Sequence, residues 1–130
     1  MRILLVSADP RTREWMALTV RSLARAVGEE PEVLEASDGL TGVRLAWRHL
    51  PDVVVLDEIT SRAGAFAVAL ELKQSGRPFP GRVVVFLDRS VDAWLARWAG
   101  ADAWFVKPVN PFEVAERLEG FLAEARKEAV

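Results

Sequence analysis

The chain has 130 residues, 51% of them hydrophobic and 28% charged, with 17 basic against 19 acidic side chains and no cysteine. That length and composition suit one globular domain over residues 1–130, with its own core and no output domain expected beside it. A net charge of −2 gives no electrostatic case for binding nucleic acid or an anionic membrane, and lack of cysteine removes disulfides, thiolate chemistry and most zinc sites.

Ile3-Leu4-Leu5-Val6 is apolar throughout, too short for a signal or membrane segment, and predicts a first strand covered on both faces. A cytoplasmic protein is expected. Asp9-Pro10 suits the opening of a helix, and Trp15, Leu18, Leu23, Ala26 and Val27 recur near helical spacing up to Gly28, with Arg13, Arg21 and Arg25 expected to face out. Glu32 to Ala36 is a mixed run, the pattern of an edge strand. Ser37-Asp38-Gly39 turns the chain into a second helix, whose inner side is expected to carry Leu40, Val43, Ala46, Trp47 and Leu50 before Pro51 stops it. His49, the only histidine, falls at the polar end of that helix, where a solvated side chain is the plain reading.

Val53-Val54-Val55-Leu56 is the run around which the rest is organised. Three β-branched residues, held between Pro51 and an acid, predict a buried strand with Asp57 at its carboxyl end. A polar loop from Glu58 to Gly64 is expected next, then a third helix carrying Phe66, Ala69, Leu70 and Lys73, then a turn-rich loop from Ser75 to Gly81. Val83 to Leu87 predicts a fourth strand ending at Asp88, and a short helix of about Ser90 to Ala99 carries Trp94 and Trp98. Trp104-Phe105-Val106 predicts a fifth strand ending at Lys107-Pro108. Asn110-Pro111 caps and opens a last helix with the stripe Val114, Leu118, Phe121, Leu122 and Ala125.

Strands alternating with helices in this way predict an α/β fold: one parallel, doubly wound sheet with right-handed crossovers. Placing the mixed strand at the border, beside the first, yields the flavodoxin-like order 2-1-3-4-5. The switch point then lies between the first and third strands and gathers Ser7, Asp9 and Asp57, with Asp88 and Lys107 along the same edge. No Gly-x-Gly-x-x-Gly, Walker, His-Glu-x-x-His or Gly-x-Ser-x-Gly pattern occurs, so dinucleotide, nucleoside-triphosphate, zinc-hydrolase and serine-hydrolase readings have no support and no enzyme activity is expected.

Leu56-Asp57 after an apolar strand, Phe66, the run Ala99-Gly100-Ala101-Asp102 and Val106-Lys107-Pro108 before the last helix form a specific combination. Over nearly its whole length the chain resembles the receiver domain of response regulators. The resemblance implies that Asp57 accepts a phosphoryl group from a histidine kinase or phosphotransfer protein, that Lys107 pairs with it or with the phosphate, and that Mg²⁺ bridges the carboxylate and phosphoryl oxygens. An ionised carboxylate attacks phosphohistidine without a general base and needs cation support for a charge-rich transition state, which Lys107 supplies as a compact charge.

The chain also departs from the family. The adjacent acids that hold Mg²⁺ in the family read Ser7-Ala8, which leaves Asp9 the only acid in that loop. The Thr or Ser after the fourth strand reads Asp88, which cannot donate a hydrogen bond while ionised and repels a phosphoryl group. The small residue that follows reads Arg89, and the Gly before Phe66 reads Ala65. Two readings are open. In one, Asp9, Asp57 and waters hold a weak Mg²⁺ and Asp57 is phosphorylated. In the other, Asp88 pairs permanently with Lys107, imitates the charge of a phosphate, and the chain acts as a phosphorylation-independent docking or dimerisation module. Asp9 also has a plain reading as a helix N-cap, and Asp88 as a turn residue or cap.

Tryptophan is over-used, with five Trp and no Tyr. Trp15 and Trp47 fall on inner stripes and are expected in the core. Trp94 and Trp98 are four apart on a short helix whose other side must supply Leu95 and Ala99 to the sheet, so at least one must be exposed. The resemblance puts Trp104 at the family's rotamer-changing aromatic and makes helix four, strand five and helix five the usual partner surface. Trp94, Trp98 and Trp104 are therefore expected to serve an interface, for a homodimer or a downstream protein. A small flavodoxin-fold ligand binder at the same switch point is the alternative from a different class.

Overall fold

The structure, a computed structural model, describes residues 1–28, 30–58 and 64–129, apart from the side chains of 24, 26, 27 and 125–129. Most of the expected loop from Glu58 to Gly64 lies outside the described residues, as do the side-chain positions expected for Ala26, Val27 and Ala125.

The strands are β1 (Arg2–Val6), β2 (Glu32–Ala36), β3 (Val53–Asp57), β4 (Arg82–Leu87) and β5 (Ala103–Val106). They form one sheet in the order β2-β1-β3-β4-β5, with every pairing parallel. This is the expected doubly wound, flavodoxin-like arrangement. β3 sits in the middle and is buried along its whole length, while the mixed sequence of β2 lies at the edge. The helices are α1 (Pro10–Val27), α2 (Gly39–His49), α3 (Ala65–Gln74), α4 (Ala93–Trp98) and α5 (Pro111–Ala129). A 3₁₀ turn at Ser90–Asp92 precedes α4, so the single fourth helix expected from about Ser90 is split in two.

Side chains alternate between the two faces of a strand, and the sheet divides the core accordingly. Leu4, Val6, Val54, Leu56, Val83, Val85 and Leu87 point to the side that packs against Ala46 of α2, Val68 and Leu72 of α3, and Ala96 of α4. Ile3, Leu5, Val53, Val55, Val84 and Phe86 point to the side covered by Met16, Val20 and Leu23 of α1 and by Val114, Leu118 and Phe121 of α5. Where β3 and β4 begin, the chains approach so closely that a side chain on Gly81 would place its Cβ 2.3 Å from the carbonyl oxygen of Pro51. Only glycine fits there.

Two helix faces differ from the periodicity reading. On α1 the inward positions are Met16, Ala17, Val20 and Leu23, and Leu18 is 56% exposed. Trp15 lies at the border of the core, edge-on to Phe86 with ring centres 5.8 Å apart. Arg13 does not face out. Its Nη1 donates to the carbonyl of Ser7 at 2.7 Å, and its Nε lies 3.5 Å from a Glu35 oxygen. On α2 the inner face is made of small residues, Gly39, Gly42 and Ala46, with Val43 and Trp47 packed beside them. Leu40 and Leu50 are exposed. Leu50 caps the helix in the left-handed region, φ 47°, donating its N–H to Ala46, which turns its side chain away from the stripe it would have continued.

Candidate functional site

The register of the sheet brings the strand tips together. β1 and β3 pair Val6 with Leu56, so Ser7 and Asp57 follow side by side. The Ser7 hydroxyl donates to Asp57 Oδ2 at 2.6 Å. Both side chains are fully buried. β4 and β5 pair Leu87 with Val106, so Asp88 and Lys107 come next along the same edge. Lys107 Nζ donates to Asp57 Oδ1 at 2.5 Å and to Asp88 Oδ1 at 2.9 Å. The result is a chain of contacts, Ser7 to Asp57 to Lys107 to Asp88, across four strand tips. The Lys107–Pro108 peptide is cis.

The electrostatics follow from burial and partners. Partial burial works against the charge on Lys107, but the hydrogen bonds to Asp57 and Asp88 outweigh it and hold its pKa above the usual lysine value. Bonds between an ammonium and carboxylates are among the strong ones. Asp57 would be costly to bury as an ion without such a partner. A cavity of about 350 Å³, lined by Arg11, Thr12, Trp15, Phe86, Lys107 and Pro108, opens beside the lysine. Lys107 is thus reached from this side, whereas Asp57 lies behind it.

Asp9 is not part of this chain of contacts. Its Oδ1 accepts from the Arg11 N–H at 3.0 Å and its Oδ2 from the Thr12 hydroxyl at 3.0 Å, as an N-cap of α1 does. The Arg11 N–H bond, followed by the Thr12 bond, holds the Asp9 carboxyl below the usual range. Only its backbone touches the site, through an N–H donated to Ser7 Oγ at 3.1 Å.

Glu58 carries more than the loop role expected of it. Its N–H donates to Phe86 O at 2.9 Å, and its Oε2 accepts from the Asp88 N–H at 2.5 Å, tying the end of β3 to the end of β4. Burial pushes the Glu58 carboxyl up, the Asp88 N–H bond works against that, and a hydrogen bond shared with Asp92 pushes it further up. Arg89 reaches out to Asp92, with Nε 3.7 Å from Oδ2. The sequence signal for Glu58 was its place directly after the central strand, where β4 must end alongside it.

Mg²⁺ takes about six oxygens in near-octahedral geometry. Here Ala8 offers no side-chain oxygen, the Asp9 carboxylate is turned to α1, and both Asp57 oxygens already accept hydrogen bonds, one of them from a cation. No group of three His, Asp or Glu side chains is placed to share a metal among the described residues. Among the described residues, the donor set does not fit Mg²⁺.

Of the three tryptophans expected at an interface, Trp94 is 63% and Trp98 60% exposed, with Val91 exposed before them. Trp104 is half-buried on the sheet, packed against the core, with the Arg97 guanidinium 5.8 Å from its ring centre. No helix of the described residues is long and apolar enough to cross a membrane.

No family model matches the chain. It is 30% identical over 125 residues to the uncharacterized response regulatory protein Rv3143 of Mycobacterium tuberculosis, covering 94% of this chain and 91% of that protein. It is 32% identical over 91 residues to the alkaline phosphatase synthesis transcriptional regulatory protein PhoP of Bacillus subtilis, covering 70% of this chain and 38% of PhoP. Among solved structures, a two-component response regulator of the LuxR family from Aurantimonas superposes with a TM-score of 0.78 at 27% identity, covering 95% of this chain and 85% of that one.

Proposed function

The chain belongs to the response-regulator receiver family of two-component signalling, and from that premise we propose that its signalling state is set internally, by Asp88 holding Lys107 against Asp57, and not by Mg²⁺-dependent phosphorylation. The observation that carries this reading is the position of Lys107 Nζ, 2.5 Å from one carboxylate and 2.9 Å from another.

A phosphoryl group arriving on Asp57 needs a cation free to receive it and a metal to neutralise its oxygens. Here Asp88 already occupies the lysine, and its carboxylate opposes any further negative charge. Asp57 is fully buried, with one oxygen taken by Ser7 and the other by Lys107. Each of these features disfavours transfer from a histidine kinase or phosphotransfer protein, the phosphoryl donors of an active receiver. The output then runs through protein contact. Trp94 and Trp98 offer the surface for it, taking either a downstream protein or a second copy, since exposed tryptophan is enriched where partners bind.

Incubating the protein with Mg²⁺ and acetyl phosphate or phosphoramidate, then weighing it intact, tests the reading. The unmodified mass is expected. A stoichiometric phosphate adduct that disappears in Asp57→Asn overturns it.

A further inference from the structure

The cleft between α2 and α3 has no part in the site described above. It has a volume of about 510 Å³, within the range of roughly 300–1,000 Å³ typical of occupied pockets. Leu40, Val43 and Trp47 of α2 and Val68 of α3 supply its apolar lining, and Arg44, Glu71 and Arg77 its charges. We propose that this cleft docks an acidic amphipathic helix of a partner protein.

Three features support that occupant. The α2 lining residues 40, 43, 44 and 47 stand at i, i+3, i+4 and i+7, one face over two turns or about 10 Å. With α3 as the opposite wall, the cleft is a trough between two helices, the shape into which a third helix lays an apolar stripe. Leu40 is exposed at its entrance.

The charges select the partner. Two guanidinium groups line the cleft against one carboxylate. Arg44 is exposed and has no carboxylate partner among the described residues. Arg77 lies with its guanidinium 3.9 Å from the Trp47 ring centre. Stacking engages the face of a guanidinium and leaves its in-plane N–H donors for a carboxylate. Trp47 is itself held edge-on by Phe79, with ring centres 5.4 Å apart. The platform is therefore ordered before a partner arrives, which lowers the entropy lost on binding.

The experiment uses a display library of helix-forming peptides of about four turns, randomised at both apolar and polar positions, selected on the full chain at low salt. Winners are expected to carry an apolar i, i+3/i+4, i+7 stripe flanked by Asp or Glu, and to bind more weakly as salt rises. By fluorescence anisotropy they should lose about tenfold or more in Kd on Arg44→Glu, Arg77→Glu or Leu40→Glu, and be unchanged by Trp94→Ala/Trp98→Ala. The three cleft positions are exposed, and circular dichroism checks that each variant folds. No enrichment, basic winners, or winners indifferent to Arg44→Glu and Arg77→Glu overturn the proposal. So does saturable binding of 2-naphthoate without any peptide winner, which would put a small anionic ligand in the cleft instead. None of these outcomes bears on Asp57.

Discussion

Lys107 is the residue whose removal the site tolerates least. Losing it takes the ammonium away from the fully buried Asp57 carboxylate, and breaking a buried ion pair from one side costs several kcal/mol. Because 27% of the Lys107 side chain remains exposed, Lys107→Met is expected to lose about 3 kcal/mol at neutral pH, the low end for a buried pair. Lys107→Met/Asp57→Asn should recover most of that, since the ion pair is then removed from both sides. Urea denaturation of the four proteins completes the cycle, and a single variant as stable as wild type would contradict it. The sign with pH is determined too. The folded-state pKa of Lys107 is raised, so its contribution is fully present below the ordinary lysine value and is lost as pH rises through the raised one; Lys107→Met should lack that alkaline loss. Asp57 and Lys107 were legible as the ends of two apolar runs. The turning of Asp9 to α1 was legible as well, from Asp9-Pro10 at the helix start; the bond from Ser7 was not, because a short polar side chain chooses among partners within a few ångströms of each other.

At the scale of elements, two glycines are expected to respond with opposite signs. Gly81 opens β4 against the backbone before β3, where a Cβ would fall 2.3 Å from the Pro51 carbonyl oxygen. Backbone cannot step aside as a flexible side chain can, so Gly81→Ala should destabilise by about 1–3 kcal/mol. Gly120 lies exposed in α5, and a Cβ there meets nothing within 4 Å. Gly120→Ala should therefore stabilise by about 0.5–1 kcal/mol through helix propensity. Thermal melts of both variants check the pair, and melting points shifted in the same direction would refute it. Strands were the easier elements to read, since an unbroken run such as Val53 to Leu56 admits few alternatives. The stripe of α5 was read on its packed face, with Val114, Leu118, Phe121 and Leu122 buried, but that of α1 was read rotated: counting from Trp15 put Leu18 inside, whereas the packed positions start at Met16, Ala17 and Val20. Hydrophobic spacing gives the period of a helix but leaves its phase to whatever the sheet offers.

For the molecule as a whole, the proposed contact surface is that of Trp94 and Trp98. Two large aromatic side chains are exposed on one short helix, with Val91 exposed before them, and a contact there would bury their apolar area. Wild type is expected to sediment faster than Trp94→Ala/Trp98→Ala, or to retain a partner that the double variant loses. Identical monomers with identical partners would rule this surface out. Both side chains are solvent-facing, so their truncation should leave the melting point nearly unchanged.

Residue order alone was enough for the parallel sheet, its 2-1-3-4-5 order, and the gathering of Asp57, Asp88 and Lys107 at strand tips, because apolar runs, turn residues and crossover handedness are local or topological constraints; at the first tip it pointed to Asp9, where Ser7 makes the contact. Which oxygen meets which nitrogen was decided only by the tertiary structure. Asp57 and Lys107 are 50 residues apart, and their contact depends on strand register and side-chain direction to within tenths of an ångström. An apolar pattern specifies the register, but the directions emerge only when neighbouring polar groups compete for the same few hydrogen bonds.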